Sequence, residues 1–114
     1  MSTLIAETPS TTVATKPPGN PDFWVNAGES FEIKLIENPT TGYAWALAHL
    51  PKDFYLLSDY YQADQPIRSG SGGMHHFIFV AMKPKTEGYF TFFELRPWEP
   101  FTPIAESQWC VRVH

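Results

Sequence analysis

From Trp24 onward, apolar residues fall in short runs at every second position, the period of a strand with one face buried. Phe31, Ile33 and Leu35 alternate with Glu32 and Lys34, and Tyr43, Trp45 and Leu47 alternate with alanines. Tyr55 to Tyr61 is a further aromatic run, and Phe77 to Ala81 is continuously apolar, as a central strand would be. Tyr89 to Leu95 follows a Glu87-Gly88 turn, and Trp109, Val111 and Val113 alternate with Cys110 and Arg112. No stretch keeps a helical period long enough to compete. Six or seven strands at hairpin spacing predict an all-β, immunoglobulin-like β-sandwich of about seven strands. Cys110 is the only cysteine, so the sandwich has no intrachain disulfide.

Residues 1–22 break this pattern. They are rich in Thr, Ser, Pro and Ala, with Pro17-Pro18-Gly19 and Asn20-Pro21, and read as a mobile lead-in with a short edge strand near Thr11 to Thr15. The domain proper is expected over residues 23–114. A 114-residue chain can bury a core without covalent staples. The net charge of -4 argues against a nucleic-acid partner, which calls for a basic surplus. No apolar run approaches the roughly 20 residues of a membrane span. The start shows no basic-then-apolar signal pattern, and Leu4-Ile5-Ala6 is too short for one. A cytoplasmic location is expected, or a lysosomal, vesicular or secreted one if a signal has been removed, and a monomer is expected.

Three short segments fall in three different gaps between strands. Asn38-Pro39-Thr40-Thr41-Gly42-Tyr43 combines a proline that sets one φ with a glycine that permits a positive one. Arg68-Ser69-Gly70-Ser71-Gly72-Gly73 precedes the most apolar strand. A phosphate cradle would need a helix to follow, whereas Met74-His75-His76-Phe77 continues as strand. A flexible hairpin, or a backbone that approaches a partner with no side chain in the way, both fit this composition. Arg96-Pro97-Trp98-Glu99-Pro100 leaves its strand through a proline and projects an arginine and a tryptophan, residue types enriched in interface hot spots. An ordinary loop also enriches Asn, Thr and Gly, and a tryptophan is often core. Three such loops on one sandwich nevertheless form a binding edge and not a catalytic pocket.

Other chemistry is poorly supplied. His75 and His76 are neighbours on a strand, point to opposite faces and cannot share a metal. His49 and His114 are isolated. Cys110 falls on the polar side of its strand with no histidine partner nearby in sequence, and the carboxylates form no motif that would separate their pKa values. No enzymatic activity, metal or cofactor is expected.

The three segments, in this order, resemble the loop motifs of the chagasin-like inhibitors of papain-family cysteine proteases. Asn38–Tyr43 matches the first motif in full, Gly70–Gly73 the central Gly-x-Gly-Gly, and Arg96-Pro97-Trp98 the third. The resemblance runs from about Trp24 to the C-terminus. It implies tight reversible inhibition of cathepsin L- or B-like proteases, with no chemistry on the inhibitor. It also implies that the glycine loop fills the slot at the catalytic cysteine while the outer loops brace it, Arg68 and Ser71 belonging to that central segment. The competing reading is a non-inhibitory adhesion or carbohydrate-binding module with Trp24 and Trp98 as stacking platforms.

Overall fold

The structure is a computed structural model and describes residues 3–5, 21–65, 70 and 72–114. Eight strands are present among them: β1 (Thr3–Ile5), β2 (Phe23–Val25), β3 (Ser30–Glu37), β4 (Ala44–His49), β5 (Phe54–Ala63), β6 (Gly73–Ala81), β7 (Glu87–Leu95) and β8 (Ala105–Val113). They form two four-stranded sheets, ordered β1-β3-β6-β5 and β2-β8-β7-β4. The predicted sandwich is therefore correct, and the apolar run Phe77–Ala81 lies on a central strand.

Strand alternation puts one row of each sheet inside. Phe31 opposes Phe79 and Ile33 opposes Phe77 across β3 and β6, while Phe90 opposes Trp109 across β7 and β8. All six are buried. Phe90 reaches across from the second sheet to meet Phe31, Phe54 and Phe79 at ring-centroid distances of 5.9, 5.1 and 4.7 Å. The contacts to Phe31 and Phe54 are edge-on, the arrangement that suits the ring quadrupoles.

The order of connections decides where the loops go. The β5–β6 connection is a hairpin within the first sheet, and β7–β8 is one within the second. The β3–β4 connection crosses from the first sheet to the second. It is bonded to both of the others.

Two expectations need adjustment and one is left open. Thr3–Ile5, placed in the lead-in by composition, forms a parallel strand against Glu32–Lys34. Residues that composition alone cannot commit gain order from a ready-made strand edge. The edge strand expected at Thr11 to Thr15 lies outside the described residues. Cys110 does face away from the core as its strand pattern implied, yet it is fully buried. Asp22 pairs with its main chain, donating its N–H to the Cys110 carbonyl at 2.7 Å and accepting the Cys110 N–H through Oδ2 at 2.7 Å. Burial first, and the Glu87 charge second, push the Cys110 thiol above its ordinary value, which leaves it unreactive.

Candidate functional site

The Asn38–Tyr43 loop is a single 3-10 turn over Pro39–Thr41, shaped by its own side chains. Asn38 caps it: Oδ1 accepts the Thr40 N–H at 3.1 Å and the Thr40 hydroxyl at 2.7 Å. The Thr41 hydroxyl donates to the Asn38 carbonyl at 2.8 Å and accepts the Tyr43 N–H at 3.3 Å. Gly42 closes the turn with φ 83°, a conformation glycine adopts without strain. A Cβ there would lie 2.6 Å from the Trp98 ring, so the glycine also makes room for the indole. Proline, cap and glycine thus specify one shape.

The Arg96–Trp98 loop is fastened to that turn. Arg96 donates through Nε and Nη2 to the Thr41 carbonyl, at 3.1 and 2.9 Å, and its guanidinium lies 4.3 Å from the centre of the Tyr43 ring. Nη1 meets Glu99 at 3.3 Å. The guanidinium is occupied by protein partners and ties this loop to the turn. Trp98 is 70% exposed, which decides the core-versus-surface question in favour of the surface. Phe101, 68% exposed, extends the apolar edge beyond the three motifs, its ring set edge-on against Phe93 at 5.4 Å. Sequence reasoning passed over Phe101 because one phenylalanine among prolines carries no pattern.

The glycine loop meets the turn from the other side. Asn38 Nδ2 donates to the Gly70 carbonyl at 3.1 Å. The Asp64 N–H donates to the Gly72 carbonyl at 3.0 Å, closing the base of the loop. Arg68 and Ser71 lie outside the described residues. Gly73 is no loop tip: it is the buried first residue of β6. A Cβ on it would come 2.1 Å from the Gln62 carbonyl. Its lack of a side chain serves strand pairing, which a run of glycines in sequence cannot reveal.

The spatial order of the loops thus differs from their order along the chain. The Asn38–Tyr43 turn is in the middle, bonded to Gly70 on one side and to Arg96 and Trp98 on the other. The family resemblance had implied the glycine loop as the central one. In the described residues the β3–β4 connection, which crosses between the sheets, is the one bonded to both others.

Beneath the loops the core changes character. Glu37, the last residue of β3, is buried, and its Oε1 accepts the Trp45 N–H at 2.7 Å, linking the strands that enter and leave the turn. The Trp45 indole N–H donates to the Ile36 carbonyl at 2.8 Å. His75 Nδ1 meets the same Glu37 oxygen at 2.9 Å, and its Nε2 meets Asp59 Oδ2 at 2.7 Å. On the outer face, His76 bonds Glu32 and, at 3.0 Å, Gln62. The two histidines do face opposite ways. Among the described residues, no group of three His, Cys, Asp or Glu is placed to hold a metal.

Two sheets thus carry at one end two loops, each bonded to a third that lies between them, an arrangement suited to binding. Residues 25–113 match the model of the "Chagasin family peptidase inhibitor I42", and the chain belongs to that family. It is 34% identical to chagasin from Trypanosoma cruzi over 80 residues, 65% of this chain and 71% of that one. In fold it is similar to the cysteine protease inhibitor EhICP2 from Entamoeba histolytica, with a TM-score of 0.67 at 24% identity, covering 81% of this chain and 85% of that one. It is also similar in fold to PbICP-C, solved in complex with falcipain-2, with a TM-score of 0.63 at 18% identity over 98% of each chain.

Proposed function

We propose that this chain inhibits papain-like cysteine proteases by seating the three-loop edge in the active-site cleft, with Asn38–Tyr43 as the central wedge. Gly70 and Gly72 flank it on one side, and Arg96, Pro97, Trp98 and Phe101 flank it on the other. The observation that carries this reading is the fastening of the middle turn from both sides, by Asn38 to Gly70 and by Arg96 to Thr41. Family membership supplies the kind of target. The inhibitor is not an enzyme in this reading and does no chemistry. A turn whose carbonyls and hydroxyls are already bonded internally resists the distortion that cleavage requires.

A preformed edge loses little entropy on docking, so a standard interface of about 1,600 Å² is compatible with tight binding. The carbohydrate-binding alternative would use Trp24 and Trp98 as stacking platforms. Trp24 pairs with Arg112 near the end of β8, whereas Trp98 precedes its first residue, Ala105. Seven residues of strand separate those ends by roughly 23 Å. The two rings cannot form one platform.

The test is titration of active-site-counted papain with the inhibitor, following enzyme activity and inhibitor mass together. Near-stoichiometric inhibition with the inhibitor intact is expected. Full protease activity at micromolar inhibitor, or cleavage within Asn38–Tyr43, would overturn the reading.

A further inference from the structure

The polar layer under the loops joins four strands through one histidine. His75 on β6 bonds Glu37 on β3 and Asp59 on β5, and Glu37 in turn holds the Trp45 N–H on β4. Glu37 immediately precedes Asn38, and the glycine loop joins β5 to β6. The stems of the middle turn and of the glycine loop therefore share one imidazole. Its ring stacks on Phe77 at 4.2 Å and 8°, which fixes the plane of the imidazole.

We propose that His75 is a positioning residue for inhibition: its imidazolium, donating to Glu37 and Asp59 at once, holds the two loop stems in register, and the edge loosens when that proton leaves. This rests on the reading that these loops form the inhibitory edge.

Donor count gives the reason. An imidazolium has two N–H donors for two carboxylates, whereas neutral imidazole has one N–H and turns a lone pair toward the other. Burial pulls His75 down, but the hydrogen bonds to Glu37 and Asp59 and their charges outweigh it, and the proton is held above the usual 6.5. Folding therefore favours proton uptake. The clamp is complete below about pH 6.5 and is lost as pH rises through the higher folded value.

The other groups facing this layer are Tyr61, opposite His75 on β5, and Glu94 on β7. Burial first, and the Glu37 charge second, raise the Glu94 carboxyl above its ordinary value. Ionised Glu94 adds negative charge and so favours the imidazolium. His76 belongs to the outer face, stacked on Tyr60 at 4.4 Å and engaged with Glu32 and Gln62.

Two measurements on the full chain test the clamp. The first needs no protease: NMR follows the His75 ring and the amides of Thr40–Gly42, Gly70 and Gly72 between about pH 5.5 and 8.5. The loop amides should titrate with the His75 midpoint, and the transition should vanish in His75→Gln. It should move to lower pH in Glu37→Gln and survive in Glu94→Gln. The second is the ratio of papain inhibition constants for His75→Gln and the natural chain at each pH, in which the protease's own titration cancels. The natural chain should be tighter by about fivefold or more at the acidic end, with the advantage gone at the alkaline end. Loop amides indifferent to the His75 titration, or a ratio constant with pH, would overturn the proposal. If the natural chain fails to inhibit papain at all, the inhibitory reading falls, and the NMR titration still decides whether the clamp sets the loops.

Discussion

The two ends of the sandwich are held together by different physics. Away from the loops, Phe31, Phe54, Phe79 and Phe90 interlock in a core with no charge among them. The titrating pair at that pole, Arg112 Nε to Glu87 at 2.6 Å, sits on the surface, and that hydrogen bond is the main cause that holds Glu87 below its ordinary value. It stays ionised across neutral pH. At the loop end, Glu37, His75 and Glu94 stand among the buried rings of Trp45 and Phe77, and the half-buried His75 holds its proton above the ordinary value through Glu37 and the exposed Asp59. Apolar burial is non-directional and fixes that the sheets stay together. Hydrogen-bonded charge is directional and fixes how the loop stems are set. Stability is concentrated at one pole and geometry at the other.

The largest effect that would test this division is on stability. Phe79→Ala removes a fully buried ring from the centre of the cluster and should destabilise the fold by about 3–5 kcal/mol. Denaturant unfolding at the acidic and alkaline ends of the His75 titration should give the same loss. A strongly pH-dependent loss would mean that the two poles are coupled.

Trp98→Ala acts at the other pole. It should weaken protease binding by about 2 kcal/mol or more while the melting transition stays in place, because the ring is mostly in solvent. Gly42→Ala should weaken binding through the same contact, since its Cβ would press on the indole and its φ is positive. A double-mutant cycle sharpens this: with Trp98 already removed, Gly42→Ala should do less harm. Additive losses would show that the turn and the indole act separately.

The smallest effect expected is from deleting residues 1–19. Inhibition should change by less than about 0.5 kcal/mol, because β1 pairs with the middle of β3 and not with the loop stems. Stability should fall slightly as the β3 edge is uncovered. A large affinity loss with the fold intact would place part of that segment on the protease.

Much of this was legible in the chain. The alternation of Phe31, Ile33 and Leu35 named an inner face that the structure reproduces, and the proline, glycine and threonines of Asn38–Tyr43 announced a fixed turn. Trp98 was readable as exposed because prolines bracket it. Local rules suffice where the deciding neighbours are within a few residues. Gly73 was not readable, because its constraint is the Gln62 carbonyl on the facing strand. Phe101 gave no signal, since its exposure beside Trp98 depends on how the β7–β8 connection folds back.

By itself the sequence determined the period-two pattern, the absence of an intrachain disulfide and the self-shaped Asn38–Tyr43 turn, all consequences of composition, backbone geometry and short-range sterics. Only the tertiary structure decided which loop stands in the middle, because that follows from a connection crossing between sheets. It also decided that His75 lies between Glu37 and Asp59. Those residues are 38 and 16 positions away along the chain, and strand register alone brings them within hydrogen-bond reach.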